Sequence, residues 1–187
     1  MAGSRILNKE EIKSILTYLK RKNQRDYTCV LCSIHFGLRA QEVLTLSFSQ
    51  VSGDVIRIMS LKGSNNDHFP IPTEVKKQVK KLKRYYQNKG IQITSDSYLF
   101  QSRNGQNQHL TTQRLNVIIR DTCDTLKISG KISNHSFRKT FITRCYKETN
   151  FDIIKTRRYS RHKSISSLQP YIEESTSTEL IENFTWD

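Results

Sequence analysis

The chain has 187 residues and carries 31 Lys and Arg against 17 Asp and Glu, a formal net charge of +14. This length allows one hydrophobic core with a small appendage. No apolar run reaches the ~18 residues that a membrane span needs and the N-terminus lacks a secretory signal, so we expect an intracellular protein without a membrane partner.

Apolar residues recur at helical spacing through most of the chain. Asn8, followed three residues later by Glu11, predicts a capping box at the start of the first helix. Gly37 predicts the end of the second helix, because glycine readily adopts the left-handed conformation of a C-terminal cap. The predicted helices cover 8–22, 25–36, 39–48, 74–89, 111–126, 135–149 and 151–159, and a last helical piece begins near Tyr171.

One hairpin interrupts the helical pattern. DVIRIMSLK (54–62) is β-branched and alternating, GSNND (63–67) consists of turn residues, and HFPIP (68–72) is a short return strand. Lys62 lies at the tip of this hairpin. SYLF (97–100) is a further brief extended piece, so the sequence predicts a predominantly helical protein with a small sheet.

Four cysteines raise the question of a metal site. Cys29 and Cys32 form a C-x-x-C pair within an apolar helical run, and Cys123 and Cys145 stand singly. No second pair has the spacing of zinc ligands, and buried helical thiols explain the pattern better than a redox or metal site. We therefore expect no metal and no cofactor.

The charge is unevenly distributed. Five acidic residues and no Lys or Arg follow Lys163, so residues 1–163 carry a net charge of +19. A basic body with an acidic tail indicates a polyanionic partner for the body and a separate use for the tail. The helix over 74–89 is strongly basic, and both a solvated face and contact with phosphates explain it.

The last third of the chain holds an ordered set of reactive side chains: His135, Arg138, His162 and Tyr171. Arginine binds two phosphate oxygens through its planar fork, and histidine exchanges a proton near neutral pH. Tyrosine can form a covalent phosphoester. Together they could hold and attack a phosphodiester without a metal ion.

With FGLRAQEVLTL (36–46), which contains Arg39 and Glu42, and with Lys62 in the hairpin, this set resembles the tyrosine recombinases of the phage integrase family. HSFR (135–138), a later histidine and a tyrosine nine positions beyond it complete the pattern. The resemblance extends from about Leu7 to Glu174. It implies a mostly helical catalytic domain, of mixed α/β class, with a small three-stranded antiparallel sheet.

The resemblance also implies roles. Arg39 and Arg138 would clamp the oxygens of the scissile phosphate, and His162 would donate a further hydrogen bond. Tyr171 would be the nucleophile that forms a 3′-phosphotyrosyl bond, and His135 would act as the general base or assist it.

Two more residues take roles from the family pattern. Lys62 would protonate the leaving oxygen, and Glu42 would position its neighbours, although a purely structural role for Glu42 is as well supported. Tyr159 is the tyrosine nearest to Tyr171, but it precedes His162 and therefore breaks the family order.

Double-stranded DNA is the partner that the family implies, bound by a homotetramer. The candidate DNA contacts are Lys76, Lys77, Lys80, Lys81, Lys83, Arg84, Lys139 and Arg161. We expect one catalytic domain over 1–174 and an acidic tail over 175–187 that docks on a neighbouring protomer. We expect no N-terminal core-binding domain in this sequence. Two explanations stay open: the sequence is an excised fragment, or the protein is a short single-domain recombinase.

Two residues depart from the family pattern. Arg161 stands where the family usually has glycine, which requires a backbone conformation that a side chain can tolerate. Pro170 disfavours helical geometry at Gln169, so Tyr171 is expected to open a helix. Two alternatives stay open: a type IB topoisomerase-like enzyme, and a DNA-binding regulator of the same fold with weakened catalysis.

Overall fold

A computed structural model describes residues 3–58, 67–103 and 107–172. The chain divides into two compact units, the first ending at Phe141 and the second beginning at Ile142, within one helix. The helices of the described residues are α1 (Lys9–Lys22), α2 (Gln24–Phe36), α3 (Ala40–Leu44), α4 (Thr73–Gln87), α5 (Thr112–Thr125), α6 (Asn134–Glu148), α7 (Ile153–Ser160) and α8 (Gln169–Ile172), and the strands are β1 (Val55–Ile58) and β2 (Asp67–Pro70).

Local capping signals define the first two helices. At the start of α1, Asn8 Oδ1 accepts the backbone N–H of Glu11 at 2.8 Å, and Glu11 Oε2 accepts that of Asn8 at 3.0 Å. These two bonds satisfy N–H groups that a helix start leaves unpaired. Gly37 ends α2 with φ +56°, in the left-handed region. Both boundaries confirm the sequence predictions.

Helix α2 is the centre of the first unit. It packs against α1, α3 and α4, and α5 packs against α1 and α3. The core shared by these helices includes Val30 of α2, Leu82 of α4, Leu115 of α5 and Phe137 of α6, all fully buried. The apolar stripes read from the sequence therefore face one common core.

The thiols are part of this packing. Cys29 and Cys32 are fully buried in α2, and Cys123 is buried in α5, whereas Cys145 is half-buried. Burial raises the pKa of all four thiols, which keeps them in the less reactive protonated form. Among the described residues, no group of three or more His, Cys, Asp or Glu side chains is placed to hold a metal ion.

The sheet of the described residues has two antiparallel strands rather than three. Val55 pairs with Pro70 and Ile58 with Asp67, at the two ends of the ladder. The extended piece predicted over 97–100 forms only a single bridge, between Ser47 and Tyr98. Beside this bridge the N–H groups of Leu99 and Phe48 donate to Leu46 O and Ser97 O, and a 3-10 turn begins at Ser49. Residues 59–66, with Lys62, lie outside the described residues.

The second unit begins in the middle of α6 and contains α7 and α8. Asp152 caps α7, because its Oδ1 accepts the N–H groups of Ile154 and Lys155, both at 2.9 Å. Thr156 and Leu168 are fully buried. The predicted tail over 175–187 lies outside the described residues. No helix in the described part of the chain has both the length and the apolar composition to cross a bilayer.

Candidate active site

The first candidate residues lie at the corner between α2 and α3. Gly37 turns the chain in the left-handed conformation, Leu38 is buried, and Arg39 is the extended residue directly before α3. The buried leucine anchors the corner in the core. Arg39 is thereby held close to the point where α2 ends.

Glu42 fixes Arg39 from one turn further along α3. Its Oε2 accepts the Arg39 backbone N–H at 2.9 Å, and its Oε1 lies 3.5 Å from Arg39 Nη1. The side chain of Glu42 is only 3 % exposed, whereas that of Arg39 is 43 % exposed. The buried carboxylate therefore anchors a guanidinium group that solvent, and a ligand, can reach.

Helix α6 supplies two further candidates near its start. His135 and Arg138 are three residues apart, so they lie on the same face of the helix. Arg138 is 3 % exposed, and its Nη1 donates a 2.5 Å hydrogen bond to the carbonyl oxygen of Gly37. This bond joins α6 to the corner that carries Arg39, although Gly37 and Arg138 are 101 positions apart in the chain.

The electrostatic environment of His135 places it among these cations. Although His135 reaches solvent, protein atoms around its ring partly desolvate it and lower its pKa from the ordinary value. The positive charges of Arg138, Lys139 and Arg39 lower the pKa further, in that order. An imidazole of this kind is neutral near pH 7 and can accept a proton.

The second unit brings the last two catalytic candidates of the described residues together. The ring centroids of His162 and Tyr171 are 5.4 Å apart, with the planes inclined at 53°. Nδ1 of His162 shares a 2.8 Å hydrogen bond with Ser160 Oγ, which limits rotation of the imidazole. Neighbouring imidazole and phenol rings can act on the same phosphate.

The backbone before His162 is left-handed at position 161. Arg161 has φ +57° and ψ +36°, and its N–H donates to Arg158 O at 3.3 Å. The N–H of His162 donates to Arg157 O at 3.2 Å. This pair of bonds is a Schellman motif, whose left-handed residue is most often glycine. Arg161 adopts this left-handed conformation although it has a side chain.

The expectation about the backbone of Gln169 is wrong. Gln169 is helical, with φ −49° and ψ −44°, although Pro170 follows it. Pro170 is the second residue of α8, where its missing N–H removes no hydrogen bond within the helix. A 3-10 turn over Ser166–Leu168 leads directly into α8. Tyr171 is therefore the third residue of α8 and lies in its first turn.

The candidate DNA contacts fall into two classes. On α4, Lys77, Lys80, Lys81, Lys83 and Arg84 are exposed on the face opposite its buried stripe. Lys76 is half-buried and forms a 2.5 Å ion pair with Asp54. Lys139 is half-buried beside His135. Arg161 is only 6 % exposed, so its side chain is not an open surface cation.

The first unit also contains a feature that the sequence did not indicate. A cavity of about 290 Å³ is lined by Arg25, Ser102, Arg103, Leu110, Thr111 and Arg114. Among the described residues, none of the predicted catalytic side chains lines it. Arg25 is held by Asp26 and by the carbonyl oxygen of Gln101. The three arginines are too far apart in the chain for any short motif to reveal the cavity.

The described site therefore consists of two groups. Arg39, His135 and Arg138 gather in the first unit, with Glu42 as an anchor, and His162 lies beside Tyr171 in the second. The first group can hold an anion and accept a proton. The second can supply a hydrogen-bond donor and a nucleophile.

The chain belongs to the phage integrase family, whose model matches residues 5–178. It is 28 % identical over 155 residues to tyrosine recombinase XerC of Anoxybacillus flavithermus, covering 79 % of this chain and 49 % of that protein. The fold is similar to a crystal structure of XerA recombinase, with TM-score 0.77, 21 % identity, and coverage of 97 % of this chain and 64 % of that one.

A second similar structure is XerH site-specific recombinase bound to its difH substrate in a pre-cleavage complex. The TM-score is 0.72 at 19 % identity, covering 93 % of this chain and 53 % of that one. The chain spans about half the length of the curated relatives it matches. The family and the fold predicted from the sequence are confirmed.

Proposed function

We propose that this chain breaks and rejoins double-stranded DNA through a covalent 3′-phosphotyrosyl intermediate, as a site-specific recombinase. The observation that supports it best is the group of Arg39, His135 and Arg138, followed in the chain by the neighbouring rings of His162 and Tyr171. A phosphoryl group in transfer spreads negative charge over its equatorial oxygens, and fixed cations lower that barrier.

Arg39 and Arg138 bind the non-bridging oxygens of the scissile phosphate in this proposal. Each guanidinium can make two parallel hydrogen bonds to a phosphate, which fixes orientation as well as charge. The carbonyl of Gly37 holds Arg138, and Glu42 holds Arg39, so neither arginine has to be ordered when DNA binds. His162 donates a third hydrogen bond.

Tyr171 is the nucleophile. Its phenol oxygen bonds to phosphorus, the bond from phosphorus to the 5′ oxygen breaks, and the leaving oxygen takes a proton from Lys62, outside the described residues. The phenol proton passes to His135, whose lowered pKa keeps it neutral near pH 7. Attack by a 5′-hydroxyl reverses the steps. The covalent bond conserves the energy of the broken linkage, so no cofactor is required.

The basic face of α4 supplies sequence-independent affinity. Its exposed residues Lys77, Lys80, Lys81, Lys83 and Arg84 contact DNA phosphates in this proposal, and such contacts position a protein without selecting a sequence. Lys76 contributes less to DNA affinity, because its charge is already paired with that of Asp54. The DNA substrate places the protein inside the cell.

Recombination between two sites requires four cleavages, so we propose a homotetramer on DNA. Residues 1–174 act as the catalytic domain, and the tail over 175–187 docks on a neighbouring protomer. Sedimentation of the protein with DNA that carries one or two sites tests this assembly. A particle that never exceeds one protomer for each DNA site contradicts it.

A suicide DNA substrate with a nick near the cleavage site tests the chemistry. The short fragment between the cleavage site and the nick, which carries the new 5′-hydroxyl, diffuses away, so the covalent adduct accumulates and is seen as a band of lower mobility on a denaturing gel. Wild type should form the adduct, and Tyr171→Phe should not. Tyr159→Phe is the matched control, because Tyr159 is an exposed tyrosine of the same unit that should not react.

Each alternative has its own outcome in this assay. An adduct that persists in Tyr171→Phe and disappears in Tyr159→Phe reassigns the nucleophile. DNA binding without an adduct, at several stated salt concentrations, favours a regulatory protein. Relaxation of plasmids that lack any specific site, by a monomer, favours a topoisomerase.

A further inference from the structure

The carbonyl and the missing side chain of Gly37 both contribute to the same contact. The Gly37 carbonyl oxygen accepts the 2.5 Å hydrogen bond from Arg138 Nη1. A Cβ atom built on Gly37 would lie 2.0 Å from Phe141 Cδ1, 2.5 Å from its Cγ and 2.7 Å from its Cε1. The ring of Phe141 therefore occupies the space that any side chain at position 37 needs.

Phe141 and Arg138 are three residues apart on α6, so their side chains extend from the same face of the helix. Gly37 meets both: the ring covers its α-carbon, and the guanidinium binds its carbonyl oxygen. Two residues later the chain reaches Arg39, whose backbone is held by Glu42. One glycine thus joins the segments that carry the two arginines.

We propose that Gly37 is a positioning residue that sets the separation of the Arg39 and Arg138 guanidinium groups, with the Phe141 ring as its packing partner. Gly37 does not touch DNA and transfers no proton. It acts through Arg138, because a larger residue at position 37 pushes Phe141 away and moves the α6 face that carries Arg138. This inference rests on the proposed function, in which both arginines bind one phosphate.

The left-handed backbone alone does not explain the need for glycine at this position. Gly90 has φ +71°, a similar conformation, but nothing lies within 4 Å of its built Cβ. Gly90→Ala thus adds only backbone strain, whereas Gly37→Ala adds strain and the overlap with Phe141. Comparing the two substitutions separates general destabilisation from displacement of Arg138.

The test measures single-turnover adduct formation at saturating DNA, together with the dissociation constant for DNA. Gly37→Ala should lower the rate by about 100-fold, since a misplacement near 1 Å costs that much. Its DNA affinity should change little, because α4 still contacts the backbone. Gly90→Ala should form the adduct at the wild-type rate.

The Phe141→Ala background supplies the rescue. In that background the Cβ atom introduced at position 37 contacts no ring, so the Gly37→Ala substitution should lower the rate of adduct formation by less than about 10-fold. If Gly37→Ala does not fold alone, the double variant carries the test. The proposal is overturned if a folded double variant forms the adduct about 100-fold more slowly than Phe141→Ala. It is also overturned if Gly90→Ala slows adduct formation as much as Gly37→Ala does.

A crystal structure of Gly37→Ala gives a readout that does not depend on activity. The Arg138 Nη1 atom should move beyond 3.5 Å from the carbonyl oxygen of residue 37. An unmoved Arg138 with only Phe141 rotated away refutes the positioning role, even if the protein recombines DNA. Conversely, a wild-type protein that forms no adduct, with Arg138 displaced in the variant, overturns the proposed function and leaves the positioning role supported.

Discussion

Substituting Arg161 by glycine and, separately, by alanine measures the backbone strain beside His162. Both variants lose the buried Arg161 side chain, so their difference reports only the effect of a Cβ atom at φ +57°. A left-handed conformation costs a residue with a side chain ~1–2 kcal/mol. Glycine avoids that cost but loses ~0.5–1 kcal/mol more conformational entropy on folding.

The glycine variant should therefore be more stable than the alanine variant by ~0.5–1 kcal/mol, or a rise in Tm of about 1–4 °C for a chain of this size. Urea unfolding followed by circular dichroism measures the difference. The Schellman hydrogen bonds, from Arg161 N–H to Arg158 O and from His162 N–H to Arg157 O, stay intact in both variants. The gain is thus the relieved strain less the greater entropy loss of glycine.

Lys155 provides the control pair. It is exposed in the first turn of α7, where the backbone is helical. Lys155→Gly should be less stable than Lys155→Ala by about 1 kcal/mol, the opposite sign. If Arg161→Ala is as stable as Arg161→Gly, or more stable, the argument from backbone strain fails.

Two further predictions concern the first unit. Glu42→Gln should lower the free energy of unfolding by ~1–2 kcal/mol and slow adduct formation, because a neutral amide replaces the carboxylate that accepts from Arg39; unchanged urea unfolding and rate would contradict this. The lowered pKa of His135 means that the unfolded state takes up the proton first as the pH falls below ~6.5, so stability should decrease from there through the folded-state pKa. The pH dependence should be smaller in His135→Gln, measured by urea unfolding at several pH values between 7.5 and 5, and identical profiles would refute the assignment.

The sequence was sufficient where the physical signal is local. Asn8 with Glu11, and Gly37 after an apolar run, mark helix ends through hydrogen bonds that span at most a few residues. The family was identified from the order of Arg39, His135, Arg138, His162 and Tyr171. The match of the family model to residues 5–178 confirms it. The catalytic roles of these residues stay predictions.

Predictions that depended on longer-range packing were less accurate. Among the described residues the sheet has two strands instead of the three that the resemblance implies, and the extended piece over 97–100 forms one bridge, between Ser47 and Tyr98. Pro170 does not keep Gln169 out of helical geometry, since a 3-10 turn already leads into α8. Local preferences of this size are small compared with the packing of neighbouring elements, so tertiary structure overrides them.

The sequence by itself therefore determined the family, the order of the reactive groups and most of the helices, because these depend on residue identity and on neighbours along the chain. The helix predicted over 39–48 is an exception, since α3 ends at Leu44. Only the tertiary structure placed Arg138 on the carbonyl of Gly37, 101 residues away, and Phe141 over its α-carbon. It also revealed that Arg161 adopts the left-handed conformation usual for glycine. Such contacts depend on how the helices pack, and a short sequence motif cannot predict which residues from distant parts of the chain come into contact.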